Sequence, residues 1–222
     1  NFAIQPMIFR MMNDSGNKRF YARLLTYYTF GTMIIALAMM VFGLEITKLF
    51  ARRTEYFGAW HIFPFIIFSV VFGMMKDVAT TGLSITKKTK IIALTVILTA
   101  VLNLLLNIVL IHWFGNQGAA LSKLLSIMVF FGLTFYFAQK AYPIPYELKR
   151  VVLMLLVGAG IYFVSLLFNR LEVVPRLLVK SSLIVIYPFV LLMLGFYEDD
   201  ELKGLKSGWH KWRNLSAFAE NF

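Results

Sequence analysis

Two pairs of polar side chains interrupt an otherwise apolar stretch, NLLLNIVLIHWFGNQGAALSKLLS, at residues 103–126. Asn103 and Asn107 are four residues apart, as are Ser122 and Ser126, so each pair lies on one face of a helix. Amides and hydroxyls inside a membrane can hydrogen-bond across a helix–helix contact, or they can contact a polar substrate in a watery cavity. The sequence leaves both roles open.

A short turn near Gly115 and Asn116 separates the two pairs, so their helices are predicted to be antiparallel neighbours. Counting outward from this turn places Asn107 level with roughly residue 124 and Asn103 with roughly residue 128. Gly118 and the alanines after it allow the two backbones to approach closely. Because an unpaired amide in hydrocarbon is costly, we expect hydrogen bonds between the helices, each contributing ~0.6–2 kcal/mol.

Lys123 follows Ser122 directly and is predicted to lie about one turn inside an apolar segment. An ionisable side chain within a membrane is a functional candidate by default. Its four methylenes would equally allow the ammonium to reach the membrane surface. The candidate substrate-binding residues are therefore Asn103, Asn107, Ser122, Lys123 and Ser126. The sequence indicates no catalytic residue, no metal site and no cofactor, because it has no cysteine and none of the common catalytic motifs.

The composition indicates the elements that must carry these residues. Of the 222 residues, 59% are hydrophobic and only 15% are charged, and the charges are clustered between long apolar runs. This distribution is typical of a polytopic membrane protein. The net charge of +11 is then best explained by basic loops that fix the orientation in a membrane, rather than by nucleic-acid binding.

Six segments are long and apolar enough to cross a bilayer as helices, since a span needs ~20 apolar residues. They predict an all-α integral membrane protein with spans at 24–44, 56–75, 91–111, 119–138, 151–168 and 177–197. Continuous rather than alternating apolar runs exclude a closed β-barrel. Glu45 and Lys48, three residues apart at the end of the first span, are expected to pair with each other.

The Lys and Arg residues predict the orientation. Fifteen of the 22 fall at one end of the predicted spans and six at the other, while Lys123 lies within a span. By the positive-inside rule the richer end is cytoplasmic, which places both chain ends in the cytoplasm. The predicted regions are 1–23, the end of a preceding span and a loop; 24–138, a four-helix part of a bundle; 139–150, a cytoplasmic loop; 151–197, two terminal spans; and 198–222, a cytoplasmic tail.

The two ends of the sequence add an expectation about the length of the protein and one about its tail. The first residues resemble the end of a hydrophobic helix, so we expect the chain to be the C-terminal part of a longer protein. In the tail, Leu202, Leu205, Trp209 and Trp212 share one helical face. Either a helix on the membrane surface or a solvated tail would account for this pattern.

Several segments resemble bacterial polysaccharide-export proteins. The stretch LNLLLNIVLIHWFGNQGAALSKLLS resembles their pattern N-x-x-x-N, an apolar run, then G-x-x-G-A-A-x-x-[ST]. The segments IQPMIFRMM, GLSITKKTKIIALTVILTAVLN and AYPIPYELKR are similar as well, so the resemblance extends over most of residues 1–197. These proteins are the Wzx-type flippases of the multidrug/oligosaccharidyl-lipid/polysaccharide (MOP) exporter superfamily.

The resemblance implies two six-helix bundles around a central cavity, with this chain holding most of the second bundle and two terminal helices. It implies a non-enzymatic transporter in the bacterial inner membrane that moves an undecaprenyl-diphosphate-linked glycan. The partners would be that glycan, membrane lipid and a missing N-terminal half. The alternatives are a multidrug or cation antiporter of the same superfamily, which needs a carboxylate within the membrane, and a membrane-embedded glycan polymerase or acyltransferase, which needs large polar loops.

Overall fold

A computed structural model describes residues 16–51 and 53–197, and within these ranges the regular structure is entirely helical. The α-helices are α1 (Asn17–Val41), α2 (Gly43–Phe50), α3 (Phe63–Ala79), α4 (Thr81–Ile85), α5 (Thr89–Phe114), α6 (Asn116–Ala141), α7 (Leu148–Leu166) and α8 (Val173–Met193). Two 3₁₀ segments, Thr54–Ile62 and Leu167–Arg170, precede α3 and follow α7. Residues 1–15 of the predicted region 1–23, and the whole predicted tail 198–222 with its amphipathic pattern, lie outside the described residues.

Within the part of the chain that the structure describes, six stretches are long and apolar enough to cross a membrane. In chain order, spans I to VI are Asn17–Val41, Tyr56–Ile85, Thr89–Phe114, Asn116–Ala141, Leu148–Arg170 and Val173–Met193. The predicted all-α, six-span architecture is therefore confirmed. The connection at Gly115 marks one end of the bundle, here called the Gly115 end, which also carries α2. The other end, the Lys87 end, carries the II–III and IV–V connections.

Spans I and VI both begin and end earlier in the chain than predicted. Span I begins at Asn17 rather than at residue 24, because a helix continues through polar residues that an apolar count leaves out. It ends at Val41, and a turn at Phe42 separates it from α2. Span VI begins at Val173 rather than at residue 177. Arg176 therefore lies inside the helix, whereas the sequence analysis placed it just before the helix.

The spans form a row in the order III, IV, II, I, V, VI, and span VI also contacts span I. The largest buried cluster gathers side chains from spans I, II, V and VI, so the last two spans share one core with the first two. Its most enclosed members include Leu25, Met33, Met75, Met154 and Tyr187. The core therefore lies around span I, in the middle of the row.

Span III lies at one edge of the row. Its main neighbour is span IV, with a smaller contact to α4. The rest of its surface is exposed and consists largely of leucine, isoleucine and valine; Leu104 and Ile108, for example, are 62% and 64% exposed. A surface of this composition is suited to lipid rather than to water.

The loop between spans IV and V has defined contacts on the Lys87 end. Its two alternating prolines predict a non-helical segment, and residues 142–147 are indeed non-helical. The Gln139 amide accepts from the backbone N–H of Ile144 (2.9 Å) and donates to its carbonyl oxygen (2.7 Å). Tyr146 packs against the core, and burial raises the pKa of its phenol. The loop is thus part of the packed structure.

Candidate functional site

The hairpin of spans III and IV positions the candidate residues, and two glycines determine its geometry. Gly115 has a φ of +56°, a conformation that L side chains rarely adopt, and it is the single residue between α5 and α6. At Gly118, an added Cβ would overlap the backbone carbonyl of Leu110 on the facing helix. The two helices therefore touch backbone to backbone immediately beyond the turn.

The two asparagines and two serines form one hydrogen-bond network across this hairpin. The Asn103 amide donates to the Ser126 hydroxyl (3.1 Å) and to the Ser122 carbonyl (3.4 Å). The Asn107 amide donates to the side-chain Oδ1 of Asn103 (3.1 Å), and the Ser122 hydroxyl lies 2.6 Å from the side-chain Oδ1 of Asn107. The expected bonds between the helices are confirmed.

The register of the contact differs slightly from the prediction. Asn107 meets Ser122 rather than residue 124, and Asn103 meets Ser126 rather than residue 128. The difference arises because the connection is one residue long, so the facing positions lie closer to the turn than a longer loop would place them.

The polar face of span III is longer than the sequence analysis recognised. Thr95 and Thr99 precede Asn103 and Asn107 at the same four-residue spacing, and both threonines are buried. Their hydroxyls donate to backbone carbonyls of their own helix, at Ile92 and Thr95. The signal that could have revealed them is the i, i+4 repeat, which continues for four members.

Lys123 lies beside this network but outside its hydrogen bonds. Its side chain is exposed and lines a groove of about 240 Å³ between spans III and IV, together with Thr99, Asn103 and Ser126. Asn107 and Ser122 are not among the residues that line the groove, because their polar groups contact each other and Asn103. Asn103, Lys123 and Ser126 thus line the groove, and Asn103 and Ser126 also join Asn107 and Ser122 in holding the two helices together.

A second polar cluster, which the sequence analysis missed, lies at the Gly115 end between α2 and span VI. Its members are Glu45, Arg176 and Lys180, and it is called the ion cluster below. The Lys180 ammonium, 1% exposed, lies 3.0 and 2.9 Å from the two carboxylate oxygens of Glu45. The Arg176 Nε lies 2.8 Å from Oε1 of Glu45, but it is not aligned to donate a hydrogen bond, so this contact is an ion pair. Arg176 also donates to the carbonyls of Asn169 and Leu171, both at 3.3 Å.

The expected pair between Glu45 and Lys48 is therefore wrong. The Glu45 carboxylate points to span VI, where Arg176 and Lys180 are one helical turn apart and both reach it. Lys48 is exposed instead. Desolvation favours the pairing of Glu45 with Lys180 over Lys48, because the buried charge of Lys180 would be costly without an anionic partner.

Cavities larger than the groove between spans III and IV open at the Gly115 end: one of about 540 Å³ beside Phe50 and Tyr56, and two that adjoin charged residues or His61. One, of about 700 Å³, adjoins the ion cluster and is lined by Glu45, Lys48 and Arg176 together with apolar side chains of α1, α2 and α8. The other, of about 360 Å³, lies where spans II, IV and V meet, beside the stacked rings of Trp60 and His61 (centroids 3.8 Å apart). His61 is exposed and its Nδ1 lies 2.9 Å from the Gly58 carbonyl oxygen.

Comparison of the chain with models of known protein families, with curated proteins and with solved structures gives no match. The site itself and the sequence pattern are therefore the grounds for a function.

Proposed function

We propose that this chain forms part of a flippase for lipid-linked oligosaccharides. The observation that carries the proposal is the groove between spans III and IV, where an ammonium, an amide and two hydroxyls converge within membrane-spanning helices: Lys123, Asn103, Thr99 and Ser126. Ionisable groups inside a membrane often mark a substrate pathway, and the Lys123 ammonium takes no part in the hydrogen bond that joins Asn103 to Ser126. The sequence resemblance to MOP-type flippases supports the same function.

The chemistry of the groove suits an anionic, sugar-bearing lipid. Amide and hydroxyl groups both donate and accept hydrogen bonds, which matches the hydroxyls of a sugar. The Lys123 ammonium can pair with a phosphate, and its flexible side chain can follow the phosphate as it moves. The substrate we propose is an undecaprenyl-diphosphate-linked glycan whose lipid tail remains in the bilayer beside the exposed apolar surface of span III.

The proposed transport requires a second helix bundle. Transporters of this kind enclose the substrate between two repeats and alternate access by rocking one against the other. An open row of six spans provides one wall of such a cavity. We propose that the N-terminal half of the same protein provides the other wall, in the bacterial inner membrane, with the basic Lys87 end in the cytoplasm.

The distribution of carboxylates favours this function over a cation antiporter. Within the six described spans, the single carboxylate is Asp77, which lies near the Lys87 end and pairs with Lys76. Glu45, in α2, is held by two cations. Neither carboxylate is therefore vacant for a substrate cation. A glycan polymerase or acyltransferase would place its polar residues in large loops, whereas the described connections are short.

The test is a glycan-export assay in the source bacterium. Deletion of the gene should leave the lipid-linked glycan on the inner leaflet, measured as its loss from the outer leaflet. Replacing Lys123 with Gln should lower export at least about tenfold if the ammonium pairs with the phosphate, since a charge-assisted contact contributes ~1.5–3 kcal/mol. Lys140→Gln is the matched control, because it removes an exposed cation from the Lys87 end of the same helix.

A different result would contradict the proposal. If deletion changes only drug tolerance and leaves the glycan distribution intact, the chain is not a flippase. If export survives Lys123→Gln as well as it survives Lys140→Gln, the groove is not the substrate site.

A further inference from the structure

The ion cluster at the Gly115 end carries more positive than negative charge. Glu45 supplies one negative charge, whereas Arg176 and Lys180 supply two positive charges in direct contact with it. Lys48 adds a third positive charge at the wall of the adjoining cavity. Buried charges are normally balanced, because isolated charge in a low dielectric is costly. An anion at this position would balance the surplus.

The cavity beside the cluster has the shape and lining of a site for an amphiphile. It measures about 700 Å³ and is open to the surface on one side. Its polar wall consists of Glu45, Lys48 and Arg176, and the remaining wall is apolar, formed by Ala38, Met39, Phe42, Ile46, Leu49, Val173 and Leu177. A ligand that fits this lining has a charged group at one end and hydrocarbon at the other.

The depth of the cavity matches the boundary between headgroups and hydrocarbon. Arg176 is three residues from the start of α8, which places it about 5 Å inside the end of the helix. Met39 lies two residues before the end of α1. With the end of α8 at the membrane surface, Arg176 would lie near the level of lipid phosphates, and the apolar wall would extend from there along the helices.

We propose that this cavity binds an anionic phospholipid of the surrounding leaflet. Its phosphate lies between Lys48 and Arg176, and its acyl chain lies along Met39 and Leu177. This site is separate from the Lys123 groove, which lies between spans III and IV, whereas the cavity lies beside spans I and VI. The proposal does not depend on the flippase function.

The experiment uses native mass spectrometry of the purified 222-residue chain, released from a neutral detergent with defined added lipid. Phosphatidylglycerol should bind at least about fivefold more tightly than phosphatidylcholine with the same acyl chains, since each nearby cation contributes about that factor. Lys48→Gln should remove about fivefold of the phosphatidylglycerol affinity. Arg53→Gln is the matched control, because Arg53 is an exposed cation at the same end but does not line the cavity.

A second pair of variants tests the apolar wall. Leu177 lines the cavity, whereas its neighbour Leu178 does not and is 68% exposed. Leu177→Trp should weaken binding of both lipids by filling the space for the acyl chain, while Leu178→Trp should leave binding unchanged. Both variants keep the ion cluster, so a folded chain is expected in each case.

Any one of four results would overturn the proposal. Equal affinity for the two lipids would show an apolar groove without anion selectivity. Equal effects of Lys48→Gln and Arg53→Gln would place the lipid elsewhere. Full displacement of phosphatidylglycerol by millimolar inorganic phosphate, or a dimer that excludes lipid, would identify a free anion or a second copy of the chain as the occupant.

Discussion

At the Glu45 carboxylate, two cations from adjacent turns of span VI meet a single anion from a short helix far away in sequence. Glu45 is 16% exposed, and the Lys180 side chain is 1% exposed. Such a cluster adds little net stability compared with apolar packing, but the loss of one member leaves the others buried and uncompensated. Glu45 is therefore the member on which the other two depend.

Glu45→Gln should lower the free energy of unfolding by about 3 kcal/mol, because it leaves two buried cations without an anion. The measurement is unfolding by a denaturing detergent titrated into mild micelles. Glu172→Gln is the matched control, since it removes an exposed carboxylate at the same end of the bundle. A loss of equal size in both variants would show that Arg176 and Lys180 do not require Glu45.

For individual residues, the sequence was sufficient to predict contacts between positions that lie close together in the chain. The four-residue spacing of Asn103, Asn107, Ser122 and Ser126, together with the adjacent turn, was enough to predict their hydrogen bonds, because the partners belong to one hairpin. Glu45 and Lys180 are 135 residues apart, and nothing local indicates that they meet. Local spacing favoured Lys48 instead, since the burial that decides the choice is a property of the fold.

Among the elements, the hairpin of α5 and α6 depends on a close approach of two backbones. Gly118 faces the Leu110 carbonyl with no room for a side chain, and small buried residues continue along the same seam at Ser122 and Ser126. The short hydrogen bonds of the network require this separation. The packing of the hairpin and the network are therefore consequences of one geometry.

Gly118→Ala should destabilise the chain by about 1–3 kcal/mol, because the new methyl group forces the helices apart. Thermal unfolding in detergent measures the effect. Gly132→Ala lies on the same helix with open space around its Cα, so it should be neutral or stabilising by up to ~1 kcal/mol through helix propensity. Equal behaviour of the two variants would mean that the helices can separate without cost.

The existence of the helices followed from the sequence more reliably than their ends did. Long apolar runs are sufficient to predict a span, because hydrocarbon leaves few alternatives for the backbone. The beginning of span I at Asn17 and the inclusion of Arg176 in span VI did not follow, since a helix can continue past the hydrocarbon while water or an ion pair satisfies its side chains.

For the whole molecule, the order of the spans in the row could not be read from the sequence. Short connections correctly indicate that spans III and IV are neighbours. The contacts between spans II and IV and between spans I and V join distant segments. Their specificity depends on the fit of apolar side chains, which have similar composition on most helices.

The orientation of the whole molecule can be tested with single cysteines, because the chain has none of its own. In intact cells, a membrane-impermeant maleimide should label Asn116→Cys at the Gly115 end. It should label Lys88→Cys at the Lys87 end only after the membrane is permeabilised. Both positions are exposed, so they form a matched pair. The reverse pattern would invert the topology and place the basic end outside.

The closed hydrogen-bond network of the hairpin has a consequence for how the chain is made. Its amides find their partners within about 20 residues, so spans III and IV can leave the translocon for lipid as one insertion unit, with their polar groups already satisfied. Glu45 has no such early partner: its cations are synthesised some 135 residues later. Span VI, which is synthesised after the other five described spans, therefore completes the ion cluster.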